Sequence, residues 1–387
     1  MFDLTGKIKR IPVTIGFLNC IKYLVCKKLM FDLRDKGILD ESGSLCVLRH
    51  GKKYMPSDKN FSRLACLMGF FYSGSGAAAD LLAEYDNTSV LAFSDDVTPN
   101  SRNNLYNFEF DMLRHLGGVF SLELIFKTKN IFIRDSLLRL FLRLVAHLYY
   151  DERRPFGDEF LSQTQIFLEK IIAVRCDTEL EWNHCPHLRC LGDEGASLLW
   201  GKGKKKVKAC YYLKDLTCEE YRQIAHQYII SILKTFESNE LLILDQACSD
   251  YSGDIGAYVD YLGKDVKILA VYRDPRDVYV TSRQKNEDSI PQEINDFIQW
   301  YGQRLGCYIN VNHPCFKLIR FEDLVLKYDS VVSDIEAFLS LRPDAHKHAK
   351  EYFNPEVSRK NIGLHQTFTD QQAMNAIRNA LPQYCYD

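Results

Sequence analysis

Arg273 and Thr281 stand eight residues apart, with the turn Asp274-Pro275-Arg276-Asp277 just after the arginine. An arginine offers a phosphate a rigid planar fork, and a threonine adds a hydroxyl. The apolar run Val266–Tyr272 precedes them. It predicts a buried strand, with Arg273 at its C-terminal end, where open α/β sheets bind ligands. Far upstream, Gly74-Ser75-Gly76-Ala77-Ala78 follows the apolar run Leu64–Tyr72 and opens the helix-forming stretch Ala77–Tyr85. Small residues let an anion come close to the backbone, and free N–H groups at a helix start point at it. The turn has no Gly-Lys-Ser/Thr, which disfavours an ordinary ATP loop. Two such signatures on one core predict a nucleotide with phosphates at two positions. The bland readings are an Arg–Asp pair that only staples the 273–277 turn, and a tight strand–helix connection at 74–78.

The stretch Arg273–Thr281 (Arg-Asp-Pro-Arg-Asp-Val-Tyr-Val-Thr) resembles the 3′-phosphate motif of sulfotransferases that use 3′-phosphoadenosine-5′-phosphosulfate (PAPS). The turn at 74–78 is similar to their 5′-phosphosulfate loop. Arg320-Phe321-Glu322-Asp323-Leu324 resembles a third family segment, and Ser358-Arg359-Lys360-Asn361-Ile362-Gly363 the C-terminal loop that closes over the donor. The four come in the family's order. With Asp245-Gln246, they look closest to bacterial sulfotransferases of surface-polysaccharide gene clusters. The resemblance implies a donor site of Gly74, Ser75, Gly76, Ala77 and Ala78 at one end and Arg273, Thr281, Arg359, Lys360 and Asn361 at the other. It also implies adenosine 3′,5′-bisphosphate as product, a carbohydrate hydroxyl as acceptor, and no metal.

Sulfuryl transfer needs a base for the acceptor proton, and positive charge for the transferring group and the leaving phosphate. The resemblance puts a glutamate shortly after the first βα unit, which favours Glu109. Its neighbours Phe108 and Phe110 would desolvate it and raise its pKa. A salt bridge from Glu109 to Arg114 is the structural alternative. His115 and Asp245 are the other candidates, though an aspartate at a strand end often only caps a helix. The family carries Lys or Arg where Gly74 stands, and hydroxyls where Ala77 and Ala78 stand. A charge is therefore missing, and either Arg114 or a lysine of the basic run Gly201–Lys208 would replace it.

Positioning these groups takes strands alternating with helices. The runs at 64–72, 89–93, 241–244, 266–272 and 316–319 predict an α/β, three-layer, P-loop-like fold with a central parallel sheet. Residues 1–60 read as an N-terminal extension. Its basic amphipathic stretch Ile21–Phe31 would dock on the main domain or touch a membrane surface. Residues 61–387 read as the sulfotransferase-like domain, with a large helical insertion at about 95–235. Within it, helices are predicted at 108–116, 133–149, 157–173 and 218–236. Thr369 to Gln372 has capping-box spacing.

Composition sets the remaining bounds. The chain has 387 residues, 46% apolar and 26% charged, with a formal net charge of −2. That suffices for a large α/β domain with additions and gives no sign of nucleic-acid binding. Thirteen cysteines without a regular framework predict a reducing, cytoplasmic setting, in keeping with the PAPS pool of bacterial members of the family. His184, Cys185, His187 and Cys190 lack a second pair at zinc-finger spacing, so no metal site is expected. No apolar run has the length of a membrane span, and residues 7–18 make a poor signal peptide. Two readings of other kinds stay open: a P-loop phosphotransferase, and a non-catalytic nucleotide-binding protein.

Overall fold

A computed structural model describes residues 61–91, 108–150, 158–176, 210–235, 238–246, 255–286 and 289–386. The N-terminal extension, the Cys/His cluster at 184–190 and the basic run at 201–208 lie outside the described residues. In chain order the elements are β1 (Arg63–Met68), α1 (Ser75–Ala83), β2 (Thr88–Leu91), α2 (Phe108–Leu122), α3 (Leu124–Lys127), α4 (Ile131–Tyr150), α5 (Asp158–Ile171), β3 (Ile172–Cys176) and β4 (Cys210–Leu213). There follow α6 (Cys218–Leu233), β5 (Leu241–Asp245), α7 (Ile255–Leu262), β6 (Lys267–Tyr272), α8 (Pro275–Lys285), α9 (Ile294–Gly306), β7 (Phe316–Arg320), α10 (Phe321–Leu326), α11 (Tyr328–Leu339), α12 (Pro355–Ser358) and α13 (Gln371–Ala380). The described chain divides into two compact units, one of residues 121–215 and one of residues 61–120 with 216–386.

The second unit carries the α/β fold. Its five strands are all parallel, in the order β2-β5-β1-β6-β7. β1 reads RLACLM and β5 reads LLILD, buried almost throughout. Strands covered by helices on both faces need an apolar side chain at nearly every position, because successive residues point to opposite faces. Ala65, Leu67, Leu241, Ile243, Leu269 and Val271 share a core with α1, α10 and α11. A second core gathers α8, α9 and α13 around Val278, Phe297, Tyr301 and Ile377. β1 is central: Leu67 lies opposite Asp245 of β5 on one side and Leu269 of β6 on the other. The C-terminal ends of β5, β1 and β6 therefore stand side by side.

Strand β1 ends at Met68, short of the expected Tyr72. The Ser73 N–H donates to the Phe70 carbonyl at 2.9 Å, and the Phe70 N–H to Ser73 Oγ at 3.2 Å. These bonds fold Phe70–Ser73 into a turn, and Tyr72 takes a φ of 61°. An apolar run alone does not separate a strand from a turn: Phe70 is buried here, but Phe71 is 48% exposed. The helix then starts at Ser75 rather than Ala77. Helix α13 is capped by Asp370, whose side chain accepts from the Ala373 N–H at 2.9 Å, one residue later than the spacing suggested.

The unit of residues 121–215 contains α3, α4, α5 and a two-stranded antiparallel sheet of β3 and β4. The expected helix to residue 173 gives way to β3 at Ile172, where Lys214 N–H donates to Ile171 O at 2.9 Å. In α4, Leu138, Leu142, Val145 and Leu148 are buried, a stripe at helical spacing. No helix of the described residues is long and apolar enough to cross a membrane.

Candidate functional site

The connection from β1 to α1 is built for close packing. A Cβ on Gly69 would run into Ser73 Oγ and Ser75, and a Cβ on Gly74 would run into the Phe321 ring. Gly74 also has a φ of 93°, a region that other residues enter only with strain. It is the N-cap of α1 and has no side-chain cap. The N–H groups of Ser75 and Gly76 therefore open the helix without intrahelical acceptors. A Cβ on Gly76 would meet nothing within 4 Å, so the space beside these donors is open. Such a helix start is a ready anion site. The missing cation now has a physical reason: both the backbone and Phe321 exclude a side chain at position 74.

At the end of β5, Asp245 is buried beside this loop. Gln246, in a left-handed conformation with φ 58°, donates from its N–H to Leu67 O at 2.7 Å. Its amide Nε2 donates to Ser75 Oγ at 2.9 Å and to Asp245 Oδ1 at 3.3 Å. Burial pushes the Asp245 carboxyl up to about 7, against the pull of the Gln246 amides. A carboxyl that changes charge near neutrality, at the sheet edge where ligands bind, has the properties of a general base.

The second signature packs beside the first. Arg273 Nη1 donates to Tyr72 O and to Thr281 Oγ1, both at 3.3 Å. Nη2 donates to Asn361 O, and the guanidinium lies 5.4 Å from the centre of the Phe321 ring. Arg273 is only 5% exposed, and its Nε is buried with no hydrogen-bond partner among the described residues. Burial lowers its pKa, while the charges of Asp277, Glu322 and Asp274 raise it. The staple foreseen for this turn exists, but Arg276 makes it. Its guanidinium pairs with Asp274 at 2.6 Å, and both side chains are buried. Asp274 also accepts from the Arg276 and Tyr386 N–H groups at 2.8 and 2.7 Å. Among the described residues, Arg273 has no direct carboxylate partner.

The C-terminal loop closes the arrangement. Asp277 accepts from the Gly363 N–H at 2.7 Å, the His365 N–H at 3.0 Å and His365 Nδ1 at 2.7 Å. Arg359 and Lys360 are exposed on the turn that ends with Asn361. The structure thus brings together Gly74–Ala78, Arg273, Thr281 and Asn361, with the turn of Arg359 and Lys360 adjoining.

The catalytic candidates of α2 are placed differently. His115 is 1% exposed, hydrogen-bonded through Nε2 to the Tyr228 hydroxyl at 2.8 Å, and pushed down to about 3 by burial. It is a neutral interior imidazole, since a charged form would be desolvated there. Glu109 and Arg114 belong to α2, but their side chains lie outside the described set. Sequence reasoning missed Phe321, Gln246, Asp277 and Glu322. Glu322 is fully buried, accepts from the Asp274 N–H at 2.8 Å and is pushed up to about 7 by burial. Its place in a segment already singled out is the signal that could have found it.

No family model matches the chain, and no curated protein matches it. Among solved structures it is similar to the sulfotransferase domain of the Synechococcus PCC 7002 olefin synthase, with 14% identity, a TM-score of 0.37, and coverage of 87% of this chain and 99% of that one. It is similar to the sulfotransferase domain of the curacin biosynthetic pathway, with 12% identity, a TM-score of 0.35, and coverage of 84% and 98%. A third is sulfotransferase STF9 from Mycobacterium avium, with 11% identity, a TM-score of 0.34, and coverage of 84% and 77%. All three TM-scores lie below 0.5, so the functional reading rests on the site's own geometry.

Proposed function

We propose that this chain is a sulfotransferase that moves a sulfuryl group from PAPS to a hydroxyl of a carbohydrate acceptor. The observation that carries the reading is the position of Arg273. It reaches Tyr72 O in the first loop, Thr281 on α8 and Asn361 in the C-terminal loop at once. One nucleotide with an anion at each end would meet the α1 N-terminus with one and this arginine with the other. The orphaned Nε of Arg273 and the open space at Gly76 fit such a ligand. PAPS, when bound, supplies the sulfuryl group and a phosphate leaving group. The chain contributes N–H groups at the 5′ end and fixed charge at the 3′ end. Asp245 is the base this arrangement favours, because it borders the anion loop and its carboxyl titrates near neutrality. The carbohydrate acceptor rests on the resemblance of the Arg273–Thr281 and Ser358–Gly363 segments to polysaccharide sulfotransferases.

A phosphotransferase is disfavoured, because the loop has no Gly-Lys-Ser/Thr. Position 74, closed to the cation that sulfotransferases carry there, favours as the second reading a nucleotide-binding protein without turnover. Calorimetric titration with adenosine 3′,5′-bisphosphate and with ATP, followed by incubation with labelled PAPS and oligosaccharide acceptors, separates the three. Tighter binding of the bisphosphate with label transfer is expected. Bisphosphate binding without transfer to any acceptor would favour the binding protein, and tighter ATP binding would overturn the proposal.

A further inference from the structure

We propose that Asp277 is the positioning residue of the 3′-phosphate site, fastening the 361–365 turn to the first turn of α8 so that the loop stands over Arg273 before a nucleotide arrives. The inference rests on the donor reading above. An aspartate in the first turn of a helix ordinarily serves that helix's own N–H groups. Here Asp274 already does so, accepting from the Arg276 N–H. Asp277 is instead 1% exposed and turns both oxygens to a segment 86 and 88 residues away. Gly363 takes a φ of 79°, and its N–H meets Asp277 Oδ2. The same turn delivers Asn361 O to the Arg273 guanidinium.

Asp277 also works from its backbone. Its carbonyl accepts the Thr281 hydroxyl at 2.7 Å, which leaves that oxygen's lone pairs to Arg273 at 3.3 Å. One residue therefore fixes both halves of the site: the hydroxyl through its carbonyl, and the loop through its carboxylate. A carboxylate beside a phosphate would ordinarily repel it. Three N–H donors on these two oxygens offset that charge, and the helix start offsets it further. A loop held in place in advance binds with less ordering cost than one that must be captured.

The test compares affinities for adenosine 3′,5′-bisphosphate and adenosine 5′-monophosphate by calorimetry. Asp277→Asn keeps the shape but turns an amide toward N–H donors. The bisphosphate preference should fall about tenfold or more, with monophosphate affinity unchanged. His365→Ala, which removes only the ring bond, should lower it about threefold. A folded Asp277→Asn protein with the full preference overturns the proposal, and so does an equal loss for both nucleotides. If Asp277→Asn does not fold, an unaltered preference in His365→Ala overturns it. A wild-type protein with no preference for the 3′-phosphate overturns the donor reading, and this inference with it.

Discussion

The loop at 69–78 and the signature at 273–281, the two ends of the proposed donor site, are made of different material. The first is backbone: two glycines that admit no side chain, a helix start without a cap, and no cation among its residues. The second is side chain: Arg273, Asp274, Arg276, Asp277 and Glu322 are all at most 5% exposed. Phe321 joins them, closing position 74 with one part of its ring and stacking on Arg273 with its face. Shape limits the first region and charge balance limits the second. Substitution should therefore damage them in distinguishable ways.

The largest effect is expected where the two regions meet the reacting group. Asp245→Asn should lower turnover by roughly 10²- to 10⁴-fold while leaving bisphosphate affinity within about threefold. Single-turnover kinetics beside calorimetry read both quantities. Unchanged turnover would move the base to Glu109. Arg273→Ala comes next. Loss of a charge-assisted bond worth about 1.5–3 kcal/mol should weaken bisphosphate binding by about ten- to a hundredfold. Adenosine 5′-phosphosulfate should bind almost as before, and an equal loss for both nucleotides would make Arg273 a fold-supporting residue.

The glycines sharpen the contrast. Gly76→Val projects into open space, so its melting temperature should stay put while bisphosphate affinity drops about tenfold. Gly74→Ala should instead lower stability by about 1–3 kcal/mol from backbone strain alone. Pairing it with Phe321→Ala should recover only the steric part. If both glycine variants lose affinity without losing stability, shape does not limit the first region.

The smallest effect is on pH dependence. Asp245 and Glu322 have folded-state pKa values of about 7, above the ordinary 3.8 and 4.5. The folded protein therefore holds more protons than the unfolded one between about pH 4.5 and 7. Stability falls as pH rises through that window and levels off above it. Urea midpoints at pH 5.5 and 8 should differ in that direction. Asp245→Asn or Glu322→Gln should each narrow the gap.

What the chain disclosed in advance follows from how local each signal is. Strands buried on both faces write themselves as apolar runs, so β1, β5 and β6 were legible, and Arg273 with Thr281 sits within one strand–helix turn. The end of β1 was not, because the Phe70–Ser73 turn is as apolar as the strand. The β3–β4 pair was missed because β3 follows α5 directly, with no turn residue between them. Asp277 holding Gly363, and Phe321 closing Gly74, are contacts across long stretches of chain with no periodic trace. Such pairings belong to tertiary structure, and only the sheet order brings their members together.

The central position of β1 has a consequence for how the protein is made. Its partners are β5 and β6, and Met68 meets Ala270 only after roughly 200 further residues have been added. At about 5–20 residues per second, a ribosome needs about 10–40 s to supply them. Until β5 is made, a largely apolar six-residue strand waits with both edges unpaired, a template for association with other nascent chains. Contacts this distant in sequence also slow the folding step itself. Yield in a heterologous host should therefore depend on growth temperature and chaperone supply more than on the stability of the finished fold.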